Sequence, residues 1–224
     1  MNKKLINCDL GECLIPNPDT QIMPLIDMAN IACGGHIGDD ESMLKTIRLA
    51  KKSKVKIGAH PSYLDWDNFG RISHQLNDKA LFDLIFQQVS RLQKLCHNSN
   101  VALEYVKPHG ALYHDMMENP QVFNTLINAV QAVDKNLNLV VQAGMKKQDK
   151  NININLLHEV FADRGYQGIN MIARSETGAV LSDVDAIVKQ YQHFASDNTF
   201  KIDTICFHSD NPASVKALKR LKNA

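Results

Sequence analysis

The sequence predicts an α/β fold in which parallel strands alternate with helices, and three observations support that prediction. Short runs of apolar and β-branched residues recur along the chain, separated by helical patterns, as in consecutive βα units. Most of these runs end in a cluster of polar residues. The chain has 224 residues, which fits one domain, so residues 1–224 are treated as a single unit.

About seven strands are expected from these runs. They are Leu5–Cys8, a second strand ending at Ala32, Val55–Ala59, Val101–Val106, Leu137–Val141, Glu159–Tyr166 and Ile202–Phe207. Helices are expected where a capping residue or a proline precedes apolar residues at helical spacing. These positions are Asp39 or Asp40, Asn77, Pro120, Ser182 and Asn211. The polar stretch Met145–Asn155 is assigned to neither class.

The polar residues at the strand ends favour a closed barrel. They are Asp9 and Glu12, His36, His60, Lys107 and His109, Asp163 and Arg164, and His208 and Asp210. In a parallel barrel the carboxyl ends of all strands lie on one face, and that face hosts active sites. An open sheet would spread the same residues along an edge. We therefore prefer the barrel and keep an open sheet as the alternative.

The segment that follows the fourth strand is the most restrained of these ends. Pro108 fixes its own φ angle and favours extended backbone at Lys107. Gly110 permits a turn or a close approach to a ligand directly after His109. An ammonium and an imidazole are thereby held in place at one strand end, as a binding or catalytic site requires.

Composition excludes several classes of partner. The net charge is +1 and 44% of the residues are hydrophobic, so neither nucleic acid nor a membrane surface is expected as a partner. The five cysteines form no C-x-x-C pair, which favours reduced thiols and a cytoplasmic location. Asp9 and Glu12 interrupt the start of the chain, so no signal peptide is expected.

Four strand-end histidines suggest two kinds of chemistry. Asp9 together with His36, His60 and His109 has the ligand types that zinc or a similar divalent ion prefers, although no H-E-x-x-H spacing is present. The alternative needs no metal: Asp9 or Glu12 acts as a base and the histidines donate to a developing oxyanion. The sequence leaves the choice open.

Further candidates lie in glycine-rich loops and beside the strand ends. Arg71 and Arg174 have glycines nearby, and either guanidinium could hold a substrate carboxylate with two hydrogen bonds. Cys33 is a possible nucleophile, but a small buried apolar role is the better interpretation.

Six of these segments, in this order, resemble the LamB/YcsF family. They are Asn7–Glu12, Ala29–His36, Gly58–Tyr63, Phe69–Arg71, Val106–Tyr113 and Phe161–Arg164. The sequence departs from the family pattern at Gly35, Ile37 and Ser209. The resemblance implies one distorted seven-stranded parallel β/α barrel over residues 1–224, similar to glycoside hydrolase/deacetylase barrels.

The resemblance also implies an activity: ATP-dependent opening of 5-oxo-L-proline (pyroglutamate) to L-glutamate, by a 5-oxoprolinase in which this chain is the A subunit beside partner subunits B and C. On that hypothesis Asp9 or Glu12 activates water, and His36, His60 and His109 polarise the lactam or position phosphate. Substrate contacts are expected from Lys107, Arg71, Arg174, Asp163 and His208. The sequence has no G-x-x-x-x-G-K-[ST] phosphate loop. ATP, with Mg²⁺, is therefore held either on this barrel through Lys107 and an arginine, or by a partner subunit.

Two other functions remain open at this point. The chain could be a stand-alone metal-dependent hydrolase or deacetylase of a small amide or an N-acyl sugar, an analogy that rests on the barrel alone. It could also be a non-catalytic subunit that binds the substrate while its partners perform the chemistry. Activity without ATP would favour the first, and binding without loss of turnover on mutation would favour the second.

Overall fold

The barrel predicted from the sequence is confirmed in a computed structural model that describes residues 3–145, 153–168 and 170–223. Seven parallel strands close on one another in chain order, with the last strand pairing to both the first and the sixth barrel strands. The barrel strands are β1 Leu5–Leu10, β2 Met28–Ala32, β3 Lys56–His60, β4 Leu103–Val106, β5 Asn138–Gln142, β6 Leu156–Phe161 and β9 Thr204–His208. The alternative of an open sheet is therefore wrong.

The sixth strand was predicted too far along the chain. The strand is Leu156–Phe161, and it begins where Leu156 pairs with β5. Residues 162–165 leave the barrel in a turn and an isolated bridge. The chain then forms an unpredicted antiparallel hairpin of β7 Tyr166–Gln167 and β8 Asn170–Met171. Residues 146–152, most of the unassigned polar stretch, lie outside the described residues.

Helices surround the barrel, mostly where capping residues predicted them. They are α1 Asp19–Ile22, α2 Asp40–Ser53, α3 Asp78–Asn98, α4 Gly110–Glu118, α5 Pro120–Val133, α6 Val184–Ser196 and α7 Pro212–Asn223. Asp39 and Asn77 accept hydrogen bonds from backbone amides in the first turns of α2 and α3, as their positions predicted. The short helices α1 and α4 were not predicted. None of the helices in the described part of the chain has the length and hydropathy that crossing a membrane demands.

The barrel interior changes from apolar to polar along its axis. Met28, Tyr105 and Val140 form a small buried cluster, separate from the large core that packs the strands against the helices. Side chains alternate between the two faces of a strand, so Lys107 projects to the same interior side as Tyr105. Inward positions nearer the strand ends carry charged groups, so the interior leads into a polar site.

Tyr105 fits inside the barrel because the neighbouring strand has no side chain at Gly58. A Cβ atom at Gly58 would lie 2.0 Å from a ring carbon of Tyr105. The tyrosine crosses that space and donates a hydrogen bond of 2.7 Å to Asn30 Oδ1. This bond joins β4 to β2 across the barrel.

We expect Gly58→Ala to lower the free energy of unfolding by about 1–3 kcal/mol, because the added methyl group overpacks the interior against Tyr105. Urea denaturation would measure the loss. In a double-mutant cycle with Tyr105→Leu, the two losses should be less than additive, because the shorter side chain vacates the space. An unchanged unfolding midpoint for Gly58→Ala would contradict the packing argument.

Candidate active site

The strand-end residues predicted from the sequence converge on one pocket at the carboxyl ends of the barrel strands. Its walls include most of the predicted site residues, namely Asp9, Glu12, His60, Arg71, Lys107, His109, Arg174 and His208. His36 and Asp163 are buried directly behind this wall, where they contact His109 and His208. All the predicted site residues therefore lie in one region. Most of them line the pocket, and His36 and Asp163 contact residues that line it.

The Lys107 ammonium lies in the barrel among two carboxyl groups and a thiol. Its Nζ atom is 3.0 Å from Asp9 Oδ1, 3.3 Å from Glu159 Oε2 and 3.0 Å from Cys206 Sγ. Burial alone would lower the pKa of Lys107, but Asp9, Cys206 and Glu159 raise it well above its ordinary value. Lys107 is therefore a fixed positive charge that joins β1, β4, β6 and β9.

The two oxygens of the Asp9 carboxylate have different surroundings. Oδ1 accepts hydrogen bonds from Lys107 and, at 2.7 Å, from Asn30. Oδ2 faces the pocket, 3.4 Å from His60 Nε2 and 3.9 Å from His208 Nε2. Burial would raise the pKa of Asp9, but the interactions with His60 and Lys107 hold it well below its ordinary value. Asp9 is therefore ionised, with one oxygen facing the pocket for chemistry.

Three buried imidazoles form a cluster beside Asp9. The rings of His36 and His109 are stacked with centroids 3.8 Å apart, and His60 meets His109 edge to face at 4.8 Å. Burial and the neighbouring His60 lower the pKa of His36 to about 3. Burial also places the pKa of His109 well below its ordinary value. His36 and His109 are consequently neutral near pH 7.

A glycine lets the loop after β2 lie against the histidine cluster. A Cβ atom on Gly35 would be 2.4 Å from Ser62 Oγ and 2.8 Å from the Ser62 carbonyl oxygen. The same hydroxyl lies 3.0 Å from His36 Nδ1. The absence of a side chain at Gly35 therefore lets this loop lie close to Ser62, the residue that orients His36.

Glu12 has properties different from those of Asp9. Its Oε1 atom is 3.5 Å from His36 Nε2 and 3.8 Å from His109 Nδ1. Burial and the nearby Asp9 charge raise the pKa of Glu12 to about 7. Two carboxyl groups on one wall are thus separated into an ionised one and one that exchanges a proton near neutral pH, a pattern typical of acid–base sites.

His208 is oriented by Asp163 in an imidazole–carboxylate pair. The ring nitrogen Nδ1 lies 2.7 Å from Asp163 Oδ1, and the backbone amide of His208 donates to Asp163 Oδ2 at 2.9 Å. Burial would lower the pKa of His208, but the charge and hydrogen bond of Asp163 raise it. Asp163 thus positions His208 and leaves Nε2 facing the pocket, which places Asp163 one step from the substrate contact predicted for it.

Two arginines stand at the pocket entrance. Arg71 and Arg174 approach the same oxygen of Asp210, at 2.9 and 3.4 Å. Each side chain is 39% exposed, so both guanidinium groups retain hydrogen-bonding capacity toward the pocket. This is the arrangement that binding a carboxylate would use.

Several functional neighbours were missed in the sequence. Asn7 and Asn30 hold the Lys107–Asp9 pair, and Glu159 and Cys206 complete the surroundings of the ammonium. All four lie on barrel strands. Asn7 and Cys206 lie two residues before the predicted site residues Asp9 and His208, and Asn30 and Glu159 lie within β2 and β6. Because residues two apart in a strand lie on the same face, the position of Asp9 could have indicated that Asn7 also faces the barrel interior.

Cys33 has the apolar role that the sequence favoured for it. The side chain is buried, and burial raises the pKa of its thiol to about 12. The thiolate is the reactive form of a cysteine, so this thiol stays protonated and unreactive near neutral pH.

Two groups of side chains in the described residues have metal-ligand types at suitable spacing. Asp9, Glu12, His60 and His109 form one, with ligand atoms within 4.8 Å of one another. Asp9, Cys206 and His208 form the other. Carboxylates and imidazoles suit zinc and similar divalent ions, so the first group fits such an ion chemically.

Taken together, the fold and the site define a parallel β/α-barrel protein with an acid–base pocket at the carboxyl ends of its strands. The model of the LamB/YcsF family matches residues 5–224. The chain belongs to the LamB/YcsF family.

Relatives of known name match the chain along its whole length. A protein from Vibrio cholerae serotype O1, named as the A subunit of 5-oxoprolinase, is 42% identical over 245 residues, covering 100% of this chain and 99% of the relative. A protein of the same name from Pseudomonas fluorescens is 38% identical over 243 residues, covering 100% and 97%. The six motifs noted in the sequence thus lie in a chain similar to these proteins from end to end.

Solved structures confirm the barrel. The lactam utilization protein from Thermus thermophilus superposes with a TM-score of 0.88 at 28% identity, covering 99% of this chain and 96% of that one. A β-1,4-mannanase gives a TM-score of 0.59 at 10% identity, with 100% of both chains covered. At that identity the second likeness concerns the fold alone.

We expect Lys107→Met to lower the free energy of unfolding by about 3–5 kcal/mol, because it leaves Asp9 and Glu159 buried without their cation. Lys56→Met is the matched control, since Lys56 pairs with Glu104 on the exposed surface and should cost less than about 1 kcal/mol. Urea denaturation of both variants measures the difference. Equal losses would contradict the role of Lys107 as the central buried charge.

Proposed function

We propose that this chain is the A subunit of an ATP-dependent 5-oxoprolinase, which opens 5-oxo-L-proline to L-glutamate together with subunits B and C. The observation that carries the proposal is the full-length similarity to relatives whose name is the A subunit of 5-oxoprolinase. The residues within the shared motifs converge on one pocket. A cytoplasmic location is part of the proposal and is supported by five free cysteines.

The pocket offers complementary groups to each part of this substrate. Arg71 and Arg174 at the entrance can bind the substrate carboxylate. That contact would leave the ring carbonyl directed toward Asp9, Glu12 and the histidine cluster. The substrate is thereby oriented with its charged end outward and its amide inward.

Opening the lactam requires a proton acceptor for water and a proton donor for the ring nitrogen. The carboxylates of Asp9 and Glu12 face the region where water would attack the carbonyl carbon. His208, held by Asp163 and with a raised pKa, is suited to protonate the nitrogen as the C–N bond breaks. A neutral lactam carbonyl is a poor electrophile, so phosphorylation of its oxygen by ATP, with release of ADP, would activate it for this attack. Cleavage of the C–N bond would then leave an acyl phosphate, and a second water would hydrolyse it to glutamate and inorganic phosphate.

The surroundings of Lys107 favour a nucleotide site on a partner subunit. The short contacts of its Nζ atom are with groups inside the barrel, including Asp9, Glu159 and Cys206. Holding ATP phosphates would require this ammonium to leave two buried carboxylates unpaired, which is costly. We therefore choose the second of the two alternatives for ATP, in which a partner supplies the phosphate-binding groups.

The entrance of the pocket is also where a partner would dock. The large apolar side chains exposed in the described residues all lie on loops that follow β1, β3 or β6. They are Ile15, Leu64, Trp66, Ile72, Leu76 and Val180. Exposed apolar residues that cluster on one face are typical of protein interaction sites. A partner there would cover the pocket and limit removal of the activating phosphate by bulk water before the ring opens.

The reaction itself tests the proposal. Glutamate release from 5-oxoproline should require ATP and all three subunits, and His109→Ala in this chain should abolish it while circular dichroism stays unchanged. Turnover by this chain alone without ATP would favour a metal-dependent hydrolase instead. Normal turnover of the assembled His109→Ala complex would favour the non-catalytic binding subunit.

Charged substitutions on the apolar entrance should weaken assembly. We expect Leu64→Asp combined with Ile72→Asp to reduce the affinity for the partner subunits by about tenfold or more, because both side chains lose buried apolar contact. Ala102→Asp is the control, since Ala102 is exposed at the opposite end of the barrel, just before β4. Analytical ultracentrifugation with the purified partners measures both affinities. Equal affinity for the two variants would place the interface elsewhere.

A further inference from the structure

The hydrogen bonds of His60 and His109 to backbone carbonyls leave two acceptor nitrogens facing each other. His60 Nδ1 lies 2.6 Å from the carbonyl oxygen of Lys107, and His109 Nε2 lies 2.9 Å from that of Phe69. A carbonyl oxygen only accepts hydrogen bonds, so each of these nitrogens carries the hydrogen. In neutral rings the opposite nitrogens, His60 Nε2 and His109 Nδ1, are then both lone pairs. They are 2.9 Å apart and repel each other without a positive charge between them.

The third imidazole presents another lone pair to the same region. The hydroxyl of Ser62 donates to the carbonyl oxygen of Tyr63 at 2.9 Å. It therefore accepts from His36 Nδ1 at 3.0 Å, which leaves Nε2 of His36 unprotonated in the neutral ring. This Nε2 is buried and has no hydrogen-bond partner within the described residues. It lies 3.5 Å from Glu12 Oε1, which is another acceptor when Glu12 is ionised.

We propose that a divalent transition-metal ion, with zinc the best match, binds between Asp9 Oδ2, Glu12 Oε1, His60 Nε2 and His109 Nδ1. Ligand atoms at about 2 Å from a tetrahedral zinc ion are about 3.3 Å from one another. The separations here are 2.9 Å between the two imidazoles, 3.4 Å from His60 to Asp9 and 3.8 Å from His109 to Glu12. These three separations lie on both sides of that spacing, and ligand atoms of the four residues all lie within 4.8 Å of one another.

The surroundings of the four atoms match those of a metal centre. Both imidazoles use the nitrogen remote from the ion to donate to a backbone carbonyl, which is how metal-binding histidines are usually oriented. Asp9 offers Oδ2 because Lys107 and Asn30 occupy Oδ1. His36 then lies outside the ligand set, beside Glu12.

The second group with metal-ligand types does not fit as well. It consists of Asp9, Cys206 and His208. The Lys107 ammonium is 3.0 Å from both Asp9 Oδ1 and Cys206 Sγ, so a cation already neutralises that side. The ion is therefore assigned to the histidine cluster.

The competing explanation is an extra proton on His60, shared with His109. Such a proton would satisfy the 2.9 Å contact, and like the ion it would leave His36 Nε2 beside Glu12, so direct measurement of metal binding separates the two explanations. The metal site concerns the pocket of the proposed function and does not depend on which substrate the pocket binds.

Metal binding by the full chain tests the proposal without any turnover. After chelator treatment, titration with Zn²⁺ followed by calorimetry should show one ion bound per chain. Co²⁺ should give the visible bands of a four-coordinate nitrogen and oxygen site without a thiolate charge-transfer band. Loss of a direct ligand should exceed the roughly 10–100-fold effect of losing an outer partner. Glu12→Gln and His109→Gln should therefore each weaken binding by about 100-fold or more.

His97→Gln is the matched control, because His97 is exposed on α3 and should leave the affinity unchanged. Absence of stoichiometric uptake would overturn the metal and support the shared proton. A thiolate band would overturn the ligand set in favour of Cys206. If both site variants fail to fold, the ¹⁵N chemical shifts of the His60 and His109 rings in the unmodified chain decide: they must move when Zn²⁺ is added, and unchanged shifts overturn the site.

Discussion

The contact between Lys107 and Asp9 is the constraint on which the rest of the site depends. A buried ammonium is stable here because Asp9, Glu159 and Cys206 surround it within 3.3 Å, and removal of one partner would leave the others uncompensated. The pair connects the first strand to the fourth across the barrel, so it fixes the position of Asp9 as well as its charge. The ammonium of Lys107 is bonded to Oδ1 of Asp9, so Oδ2 is the oxygen that faces the histidines.

The electrostatic order of the pocket follows from that constraint. An ionised Asp9 raises the pKa of its neighbour Glu12, which burial already raises, to about 7. On the other side, Asp163 raises the pKa of His208. The site therefore holds an ionised carboxylate, a carboxyl group with a pKa of about 7 and an imidazole with a raised pKa. Separation of this kind permits acid and base steps in one site.

Much of this could be predicted from the sequence, because the βα alternation and the polar strand ends both have a direct physical cause. The segment around Lys107 was identified for its proline and glycine, although its ammonium turned inward rather than toward a ligand. Asn7 was missed because it lies inside an apolar run, where only the alternation of strand faces distinguishes it. Glu159 was missed because it was taken as the start of the sixth strand, although it lies within β6. The start of β6 was missed because the strand begins where Leu156 pairs with β5. The register of that pairing depends on the neighbouring strand and cannot be read from the residues around Leu156 alone.

The two proposals make different demands on the same pocket, and the geometry reconciles them. The floor holds the lone pairs and carboxylates that a divalent ion needs, while the entrance holds two arginines and a rim of exposed apolar side chains. Lys107 on the pocket wall is committed to buried carboxylates, so its ammonium does not serve phosphate. On these proposals, cleavage of the amide would take place at the floor of this barrel, and activation by ATP would depend on the partner that covers its rim. A cover of that kind would keep bulk water from removing the phosphate of the activated lactam before the C–N bond is cleaved, a loss that would consume ATP without opening the ring.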